Sequence, residues 1–365
     1  MRLACALALE LVVAAGAVGG VVLGVSRAAA LAGDLVLVKP AVAAELAHGP
    51  DACLAVGCVL PRGELVVAVP MPAPIGSFGA SDAALLAPLA ATRVVTTKIN
   101  HGGTSLSLRL DFESGARAAF KPEQIYEQSD PRKEVAAFAL DRLLHIGRVP
   151  PAKWVRVPVA EVLAGVEPRW VPYVARRIDD VALPRDGVLA GAVSWWVPEL
   201  VPARIEHLPL DEREGRERWS GYLDVGARIP AAQRPFLRQL AALILFDALV
   251  GNDDRWSGGN LQMSPDGTTL YTMDNTSAFP PEPSIPAMPL LALHRAQTFP
   301  RALVVALRGL DREAIAGAVT VADATGQRTL LTAEEIAAVL SRRDLILAYI
   351  DQLSSDHGPE RVLSL

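Results

Sequence analysis

Short stretches in which apolar and polar residues alternate begin near Thr92 and predict β-strands. Three of them follow one another between residues 92 and 122, and the third reads "ARAAFKP". "HGG" at 101–103 connects the first two, and "ESG" at 113–115 supplies a tight turn before the third. Connections this short predict an antiparallel meander. "KWVRVPV" and "GAVSWWVP" predict two later strands.

Helical signals surround these strands. In "DPRKEVAAFALDRLLHIG", Asp130 can cap a helix, Pro131 suits its first turn and Gly147 supplies a stop. "AAQRPFLRQLAALILFDALVG" predicts a mostly buried helix that ends at Gly251. The C-terminal helix opens with a capping box at 332–335. "LDEREGRERW" is a charge run and predicts a solvated face.

A strand-rich half with one helix therefore precedes a helix-rich half, and the chain changes character near Pro198. "LQMSPDGTTLYTM" predicts a β-hairpin inside the second half. The pattern predicts an α+β protein of two lobes, at 92–198 and 199–365. The length of 365 residues agrees with about two domains. A ligand is expected in the cleft between them.

The N-terminal residues 1–32 are almost wholly apolar and predict a signal peptide, with a small-residue cleavage site at 30–32. An uncleaved membrane anchor is the alternative, with Glu10 tolerated in the apolar run. Residues 33–91 are rich in Ala and Pro and predict a loosely packed preface. We expect an exported protein, either released or attached to a membrane through these N-terminal residues. Cys53 and Cys58 suit a small disulfide loop or two buried small hydrophobes equally well.

Composition narrows the choice of partners. The net charge is −5 and no basic block is present, so the sequence does not favour a nucleic-acid partner. No period of 20–50 residues indicates a repeat array. About half of the residues are apolar, which is enough for a large core. A monomer or a homodimer is expected.

Oxygen-bearing side chains concentrate in "GNDDRWSGGN" and in the later "MDN". Asp253, Asp254, Asn260 and Asp274 offer hard oxygen ligands of the kind that suit Mg²⁺ or Mn²⁺. The first group follows a long apolar helix, and Asp274 follows the hairpin. The loop and the end of the hairpin can therefore face one point.

The strand-rich half supplies a cation for the same cleft. Lys121 ends the third strand and Glu134 lies thirteen residues later on the helix. A lysine on a strand and a glutamate on the next helix can form an ion pair that directs the ammonium toward phosphates. Order and element type together predict a nucleotide site, in the layout of a kinase fold.

Four segments carry a resemblance to a known family. They are Gly251-Asn252-x-Asp254-Arg255, Asp274-Asn275, "FKP" and "EVAAFALDRLLHIGRVPP". Together they resemble the atypical secretory-pathway kinases, a family that includes the Golgi casein kinase, the glycosaminoglycan xylosylkinase and four-jointed. HipA-like and phosphatidylinositol kinases resemble the chain more distantly. The resemblance spans roughly residues 93–365, whereas the protein-kinase strings His-Arg-Asp and Asp-Phe-Gly are absent.

The resemblance implies a two-lobed atypical protein-kinase-like fold that binds ATP with Mg²⁺ or Mn²⁺. It implies that Asp254 orients and deprotonates an acceptor hydroxyl and that Arg255 positions Asp254 or a phosphate. Asp274 would hold the metal. Lys121 and Glu134 would hold the nucleotide phosphates.

Two further candidates depart from the kinase pattern or are weakly marked. Asn260 lies six residues beyond Asp254, where the pattern places a metal-binding asparagine five beyond. The Gly258-Gly259 pair can absorb the extra residue. Gly102 and Gly103 are candidates for a turn that covers the phosphates.

The expected activity is transfer of the γ-phosphoryl group of ATP to a hydroxyl of a protein or glycan acceptor. A pseudokinase that binds nucleotide or a partner without catalysis is the first alternative, and the asparagine spacing supports it. A metal-dependent hydrolase that uses the Asp cluster is the second. Lys121 argues against the hydrolase if it points into the same cleft.

Overall fold

The structure of the protein is a computed structural model. It describes residues 77–91, 93–100, 105–256, 259–323 and 326–365, all within the unit Ala73–Leu365. The predicted signal peptide or anchor, the Cys53 and Cys58 pair and the candidate glycines Gly102 and Gly103 lie outside the described residues.

A five-stranded antiparallel sheet forms the first half of the described chain. Its strands are β1 (Val94–Ile99), β2 (Leu108–Phe112), β3 (Arg117–Pro122), β4 (Ala152–Pro158) and β5 (Val188–Trp195), in the order β1-β2-β3-β5-β4. The predicted meander is confirmed for β1 to β3. Strand β5 pairs with β3 so closely at Gly191 that a Cβ there would overlap the Lys121 carbonyl. Glycine is therefore required where β5 passes the end of β3.

Helices dominate the second half. The helices of the described residues are α1 (Asp82–Leu86), α2 (Pro88–Ala91), α3 (Pro131–Leu143), α4 (Val159–Ala164), α5 (Val171–Val181), α6 (Arg213–Leu223), α7 (Arg234–Val250), α8 (Ala287–His294), α9 (Arg301–Gly309), α10 (Arg312–Ala318), α11 (Ala333–His357) and α12 (Pro359–Val362). The shorter strands are β6 (Val201–Pro202), β7 (Arg204–Ile205), β8 (Leu208–Pro209), β9 (Leu261–Met263), β10 (Leu270–Thr272), β11 (Thr320–Asp323) and β12 (Gly326–Thr329). None of the helices among these residues is both long and apolar enough to cross a membrane.

The helix α3 begins as its sequence predicts and ends earlier. The Asp130 side chain accepts a hydrogen bond from the backbone N–H of Arg132 at 2.9 Å, which caps the first turn. The last helical residue is Leu143, four residues before the predicted stop at Gly147. The buried carboxylate of Asp141 accepts bonds from the backbone N–H groups of Gly147, Arg148 and Val149. These bonds fix the turn that leads to β4.

The large core of the second half surrounds α7, whose residues from Leu243 to Val250 are all buried. The helix ends at Gly251, which has a left-handed φ of 69° that favours glycine. The capping box of α11 is present as predicted, with Thr332 and Glu335 bonding to each other's backbone N–H groups. In α6 the charge run is solvated on one side only, because Trp219 and Leu223 are fully buried.

Residues 77–91, the end of the predicted preface, pack against the folded domain. Phe78 is buried and stacks on Tyr271, with ring centroids 5.6 Å apart. Its ring also meets Trp195 edge-on at 5.8 Å. Leu89 is buried in the core of the sheet. Burial of these two apolar side chains holds the end of the preface against the folded domain.

Candidate active site

A cleft of about 400 Å³ lies between the main sheet and the β9–β10 hairpin. The sheet and α3 contribute Lys121, Glu134, Ala192 and Trp195 to its lining, and the second half contributes Asn260, Met273 and Asp274. Apolar side chains cover much of the wall, and charged groups gather at one end. Four predicted site residues therefore line one cavity: Lys121, Glu134, Asn260 and Asp274.

Lys121 and Asp274 meet in this cleft although 153 residues separate them in the sequence. The ammonium Nζ lies 2.5 Å from Asp274 Oδ1, and the Lys121 side chain is only 14% exposed. The expectation that these two side chains lie within reach of each other is confirmed. Thr276 Oγ1 also donates to Asp274 Oδ1, at 3.0 Å. The Asp274 side chain is thus held on two sides.

The backbone of Asp274 is also fixed. Its φ is 53°, in the left-handed region that aspartate tolerates better than most residues. The side-chain amide of Asn252 donates to its carbonyl at 3.1 Å. Backbone and side chain together fix the direction of this carboxylate.

The charged side chains of the cleft shift one another's pKa values. Burial lowers the pKa of Lys121, but the carboxylates of Asp274 and Glu134 outweigh that effect and hold the pKa above its ordinary value. Burial raises the pKa of Asp274, but the Lys121 ammonium and the Thr276 hydroxyl bring it below the ordinary value. Burial raises the pKa of Glu134, and Lys121 offsets only part of that rise. Lys121 is therefore a cation and Asp274 an anion at neutral pH.

Glu134 differs from its expected pairing. Its Oε2 accepts a hydrogen bond from the backbone N–H of Asn275 at 2.8 Å, and the ion pair of Lys121 is made with Asp274. The expectation of a direct ion pair between Lys121 and Glu134 is therefore wrong. A buried ammonium needs a close anion, and Asp274 supplies it here. Glu134 still lies near enough to raise the pKa of Lys121.

Arg255 is buried beneath the loop rather than exposed in the cleft. Its Nε lies 3.3 Å from Asp247 Oδ2, and both side chains are 0% exposed. Its Nη2 donates to Asn275 Oδ1 at 2.7 Å, and its Nη1 donates to the Met273 carbonyl. A guanidinium held in this way contacts the loop after β10 and leaves no surface for a phosphate. Of the two expected roles, only the positioning of its neighbour Asp254 remains as a prediction.

Asp254 and Asn260 come together despite their unusual spacing. The Asn260 side-chain amide donates to Asp254 Oδ2 at 2.9 Å and to the Asp254 carbonyl at 3.0 Å. Gly259, with φ of 84°, turns the chain between them. Asp254 itself is exposed, and its charge contributes to the raised pKa of Lys121. Asp253 has a different duty, because its Oδ1 accepts from the Met288 backbone N–H at the start of α8.

The available oxygen ligands suit a divalent cation that is bound partly by protein side chains and partly by phosphates. The described residues hold no group of three or more His, Cys, Asp or Glu side chains able to bind a metal by themselves. Mg²⁺ is commonly bound through one or two carboxylates together with substrate phosphates. Asp274 and Asn260 both line the cleft, and their oxygens are of the type that this arrangement uses.

The chain is similar in sequence to known kinases. No protein-family model matches the chain. The chain is 26% identical to the human glycosaminoglycan xylosylkinase over 243 residues, which cover 57% of this chain and 59% of that protein. It is 26% identical to the zebrafish (Danio rerio) glycosaminoglycan xylosylkinase over 322 residues, which cover 77% of each. A segment of 81 residues is 38% identical to the human extracellular serine/threonine protein kinase FAM20C, and covers 19% of this chain and 14% of that protein.

Solved structures share the fold. The Golgi casein kinase with Mn/ADP bound superposes with a TM-score of 0.61 at 18% identity, over 79% of this chain and 81% of that chain. The structure of hydra Fam20 with sugar superposes with a TM-score of 0.59 at 18% identity. The superposition covers 76% of this chain and 90% of that chain. The chain is therefore similar to the Fam20 kinases in sequence and in fold. Its α+β fold resembles the Fam20 structures, with an antiparallel sheet first and a helical part after it.

The sequence did not assign a role to several residues that organise the candidate site. Asn252 and Asn275 stand in the quoted motifs but had no role until the structure joined them to Asp274, Arg255 and Glu134. Their position beside the two acids was the available signal. Asp247, one helical turn before Gly251, carried no signal beyond an acid inside an apolar run.

Proposed function

We propose that this chain is a metal-dependent kinase that transfers the γ-phosphoryl group of ATP to a hydroxyl of a protein or glycan acceptor. One observation carries the proposal: Lys121 Nζ and Asp274 Oδ1 lie 2.5 Å apart at the charged end of a cleft with apolar walls. A cation and a fixed carboxylate at such a place suit the phosphates and the metal of a nucleotide.

The apolar part of the cleft suits the base of the nucleotide. Ala192, Trp195 and Met273 line it, and Phe78 packs behind Trp195. A flat aromatic base in such a slot removes apolar surface from water. The phosphates would then extend toward Lys121.

Each proposed role follows from a contact. Lys121 holds phosphate oxygens through its ammonium. Asp274 and the Asn260 side-chain oxygen hold Mg²⁺ or Mn²⁺, which neutralises charge on the phosphates when bound. Asp254 lies exposed beside Asn260 and receives the proton of the acceptor hydroxyl on its carboxylate. Arg255, Asn252 and Asn275 keep the two acids in place.

The relatives support a hydroxyl acceptor without deciding its class. The names of the similar proteins describe one group as a glycosaminoglycan xylosylkinase and another as a serine/threonine protein kinase. Both a sugar and a serine offer a hydroxyl to the base. The secretory setting of these relatives also favours the exported location expected from residues 1–32.

A direct experiment separates the kinase from its two alternatives. Nucleotide binding is measured with and without Mg²⁺ or Mn²⁺, and phosphate transfer is then measured on a panel of peptides and glycans. A kinase binds ATP with metal and labels an acceptor. A pseudokinase binds ATP but transfers no phosphate to any acceptor. A hydrolase of phosphoesters cleaves an ester substrate with metal and needs no ATP.

A further inference from the structure

Arg342 is a fully buried arginine of the C-terminal helix α11 that bonds only to backbone carbonyls. Its Nε donates to the Leu249 carbonyl at 2.8 Å. Its Nη1 donates to the carbonyls of Pro280 at 3.0 Å and Glu282 at 2.6 Å. Burial lowers its pKa to about 10, so the guanidinium stays charged at neutral pH. The ion pairs among the described residues do not include it.

These three carbonyls belong to the backbone segments that carry the two acids of the candidate active site, Asp254 and Asp274. Leu249 lies at the end of α7, immediately before the loop that carries Asp254. Pro280 and Glu282 lie on the segment that leads from Asp274 to α8. One side chain therefore connects the two segments to a third element, α11.

Gly251 places the guanidinium against the start of the loop. A Cβ at Gly251 would lie 2.9 Å from Pro280 Cδ and 3.3 Å from Arg342 Cζ. The backbone N–H of Phe279 donates to the Val250 carbonyl at 2.6 Å beside them. The two segments and Arg342 thus touch at one point, and only glycine fits there.

A charge buried without a carboxylate partner is costly, and burial of such a group does not by itself favour the folded state. The three bonds instead fix the relative positions of backbone segments that are far apart in the sequence. We propose that Arg342 is a positioning residue, which holds the Asp254 loop and the segment after Asp274 in register for the reaction. This inference rests on the proposed function for its catalytic part.

Arg342→Met removes the donors and keeps an unbranched apolar side chain, whereas Arg342→Lys keeps the charge and part of the bonding. Arg343→Met is the matched control, because the neighbouring Arg343 bonds to Asp344 and to the Leu310 carbonyl, away from the site. Amide hydrogen exchange is measured for each folded protein at residues 251–256 and 274–284. Steady-state transfer from ATP with Mn²⁺ gives kcat and KM, and calorimetry gives the affinity for ADP with Mn²⁺.

In Arg342→Met, exchange should rise by roughly tenfold or more in both segments together, since it reports local opening. The kcat should fall by about ten- to a hundredfold with a KM for ATP within about threefold, because small misplacements of reacting groups are costly. Arg342→Lys should recover part of both changes, and Arg343→Met should show neither.

Exchange that stays unchanged in both segments, or that rises equally in Arg343→Met, would overturn the proposal. So would a kcat that is unchanged for the folded protein. If Arg342→Met does not fold, Arg342→Lys and Arg342→Gln decide in the same way. If the wild type transfers no phosphate, the proposed function fails by itself, and the exchange comparison still decides whether Arg342 holds the two segments.

Discussion

The backbone N–H of Asn275 donates to Glu134 Oε2 at 2.8 Å, across 141 residues of sequence. Both residues are buried, and the bond joins helix α3 to the segment that begins with Asp274. The position of α3 is therefore coupled to the proposed metal ligand. Glu134 thus joins the two halves of the described chain, while Asp274 pairs with Lys121.

Glu134→Ala should destabilise the protein more than Glu134→Gln does. A glutamine keeps an oxygen that can accept from the Asn275 N–H, whereas alanine leaves that buried donor without a partner. The difference in the free energy of unfolding should be about 1–3 kcal/mol. Chemical denaturation of both variants measures it, with Glu127→Ala at an exposed position of the preceding turn as the control. Equal stabilities would show that the Glu134–Asn275 bond contributes little.

The buried Asp247 predicts a pH dependence of stability. Burial raises its pKa to about 6, from the ordinary value of 3.8, and Arg255 offsets part of the rise. The folded state thus holds this proton more tightly than the unfolded state does. The contribution of Asp247 to stability is full below about pH 4 and is lost as the pH rises through about 6.

Asp247→Asn removes this titration and provides the comparison. The wild-type free energy of unfolding minus that of Asp247→Asn should fall by about 1–3 kcal/mol between pH 4 and pH 7. Denaturation curves at several pH values measure both proteins. A difference that stays constant or grows with pH would mean that the carboxyl is already ionised in the folded protein at pH 4.

Local signals in the sequence were sufficient for much of the fold. Strands β1 to β3 follow from alternation and short turns, and α3 and α11 follow from their caps at Asp130 and Thr332. Helices α4 and α5 went unpredicted, although Pro172 stands in the first turn of α5, where proline suits a helix start. The position of β5 between β3 and β4 depends on pairing over long distances, which local pattern does not encode.

Local signals in the sequence also predicted part of the candidate site. Lys121, Asp254 and Asp274 are polar residues at the ends of apolar elements, and order along the chain pointed to one cleft. Which anion pairs with Lys121 depends on the left-handed backbone of Asp274 and on three-dimensional packing. The bonds of Arg255 and Arg342 likewise join segments that no local pattern relates. The predicted role of Gly102 and Gly103 and the boundary near Pro198 stay predictions.

Phe78→Ala should destabilise the domain and weaken nucleotide binding. Phe78 packs against Trp195, which lines the cleft, and against Tyr271, so its loss opens a cavity behind the wall. A buried Phe→Ala change costs about 3–5 kcal/mol of unfolding free energy. Ile125→Ala, at a side chain that is 55% exposed, is the control. Thermal unfolding and ADP titration check the pair, and a loss no larger than that of Ile125→Ala would mean that residues 77–91 are not part of the domain.

Asp274→Asn should abolish the dependence of nucleotide affinity on metal. The amide keeps the size of the side chain but loses the charge that is proposed to hold Mg²⁺ or Mn²⁺ and that pairs with Lys121. With Mn²⁺ present, the affinity for ADP should fall by about tenfold or more, toward the metal-free value of the wild type. Isothermal titration with and without EDTA measures it. Retained metal dependence would place the metal elsewhere.

The most direct test of the central claim compares wild type with Asp254→Asn in transfer of ³²P from [γ-³²P]ATP to a hydroxyl acceptor, at saturating Mn²⁺. Asp254 is exposed beside Asn260, and an asparagine keeps its shape and its contact but cannot take a proton. The account predicts labelling by the wild type, a loss of about a hundredfold or more in Asp254→Asn, and an unchanged affinity for ADP with Mn²⁺. Wild-type binding without labelling of any acceptor, or equal labelling by the two proteins, would contradict it.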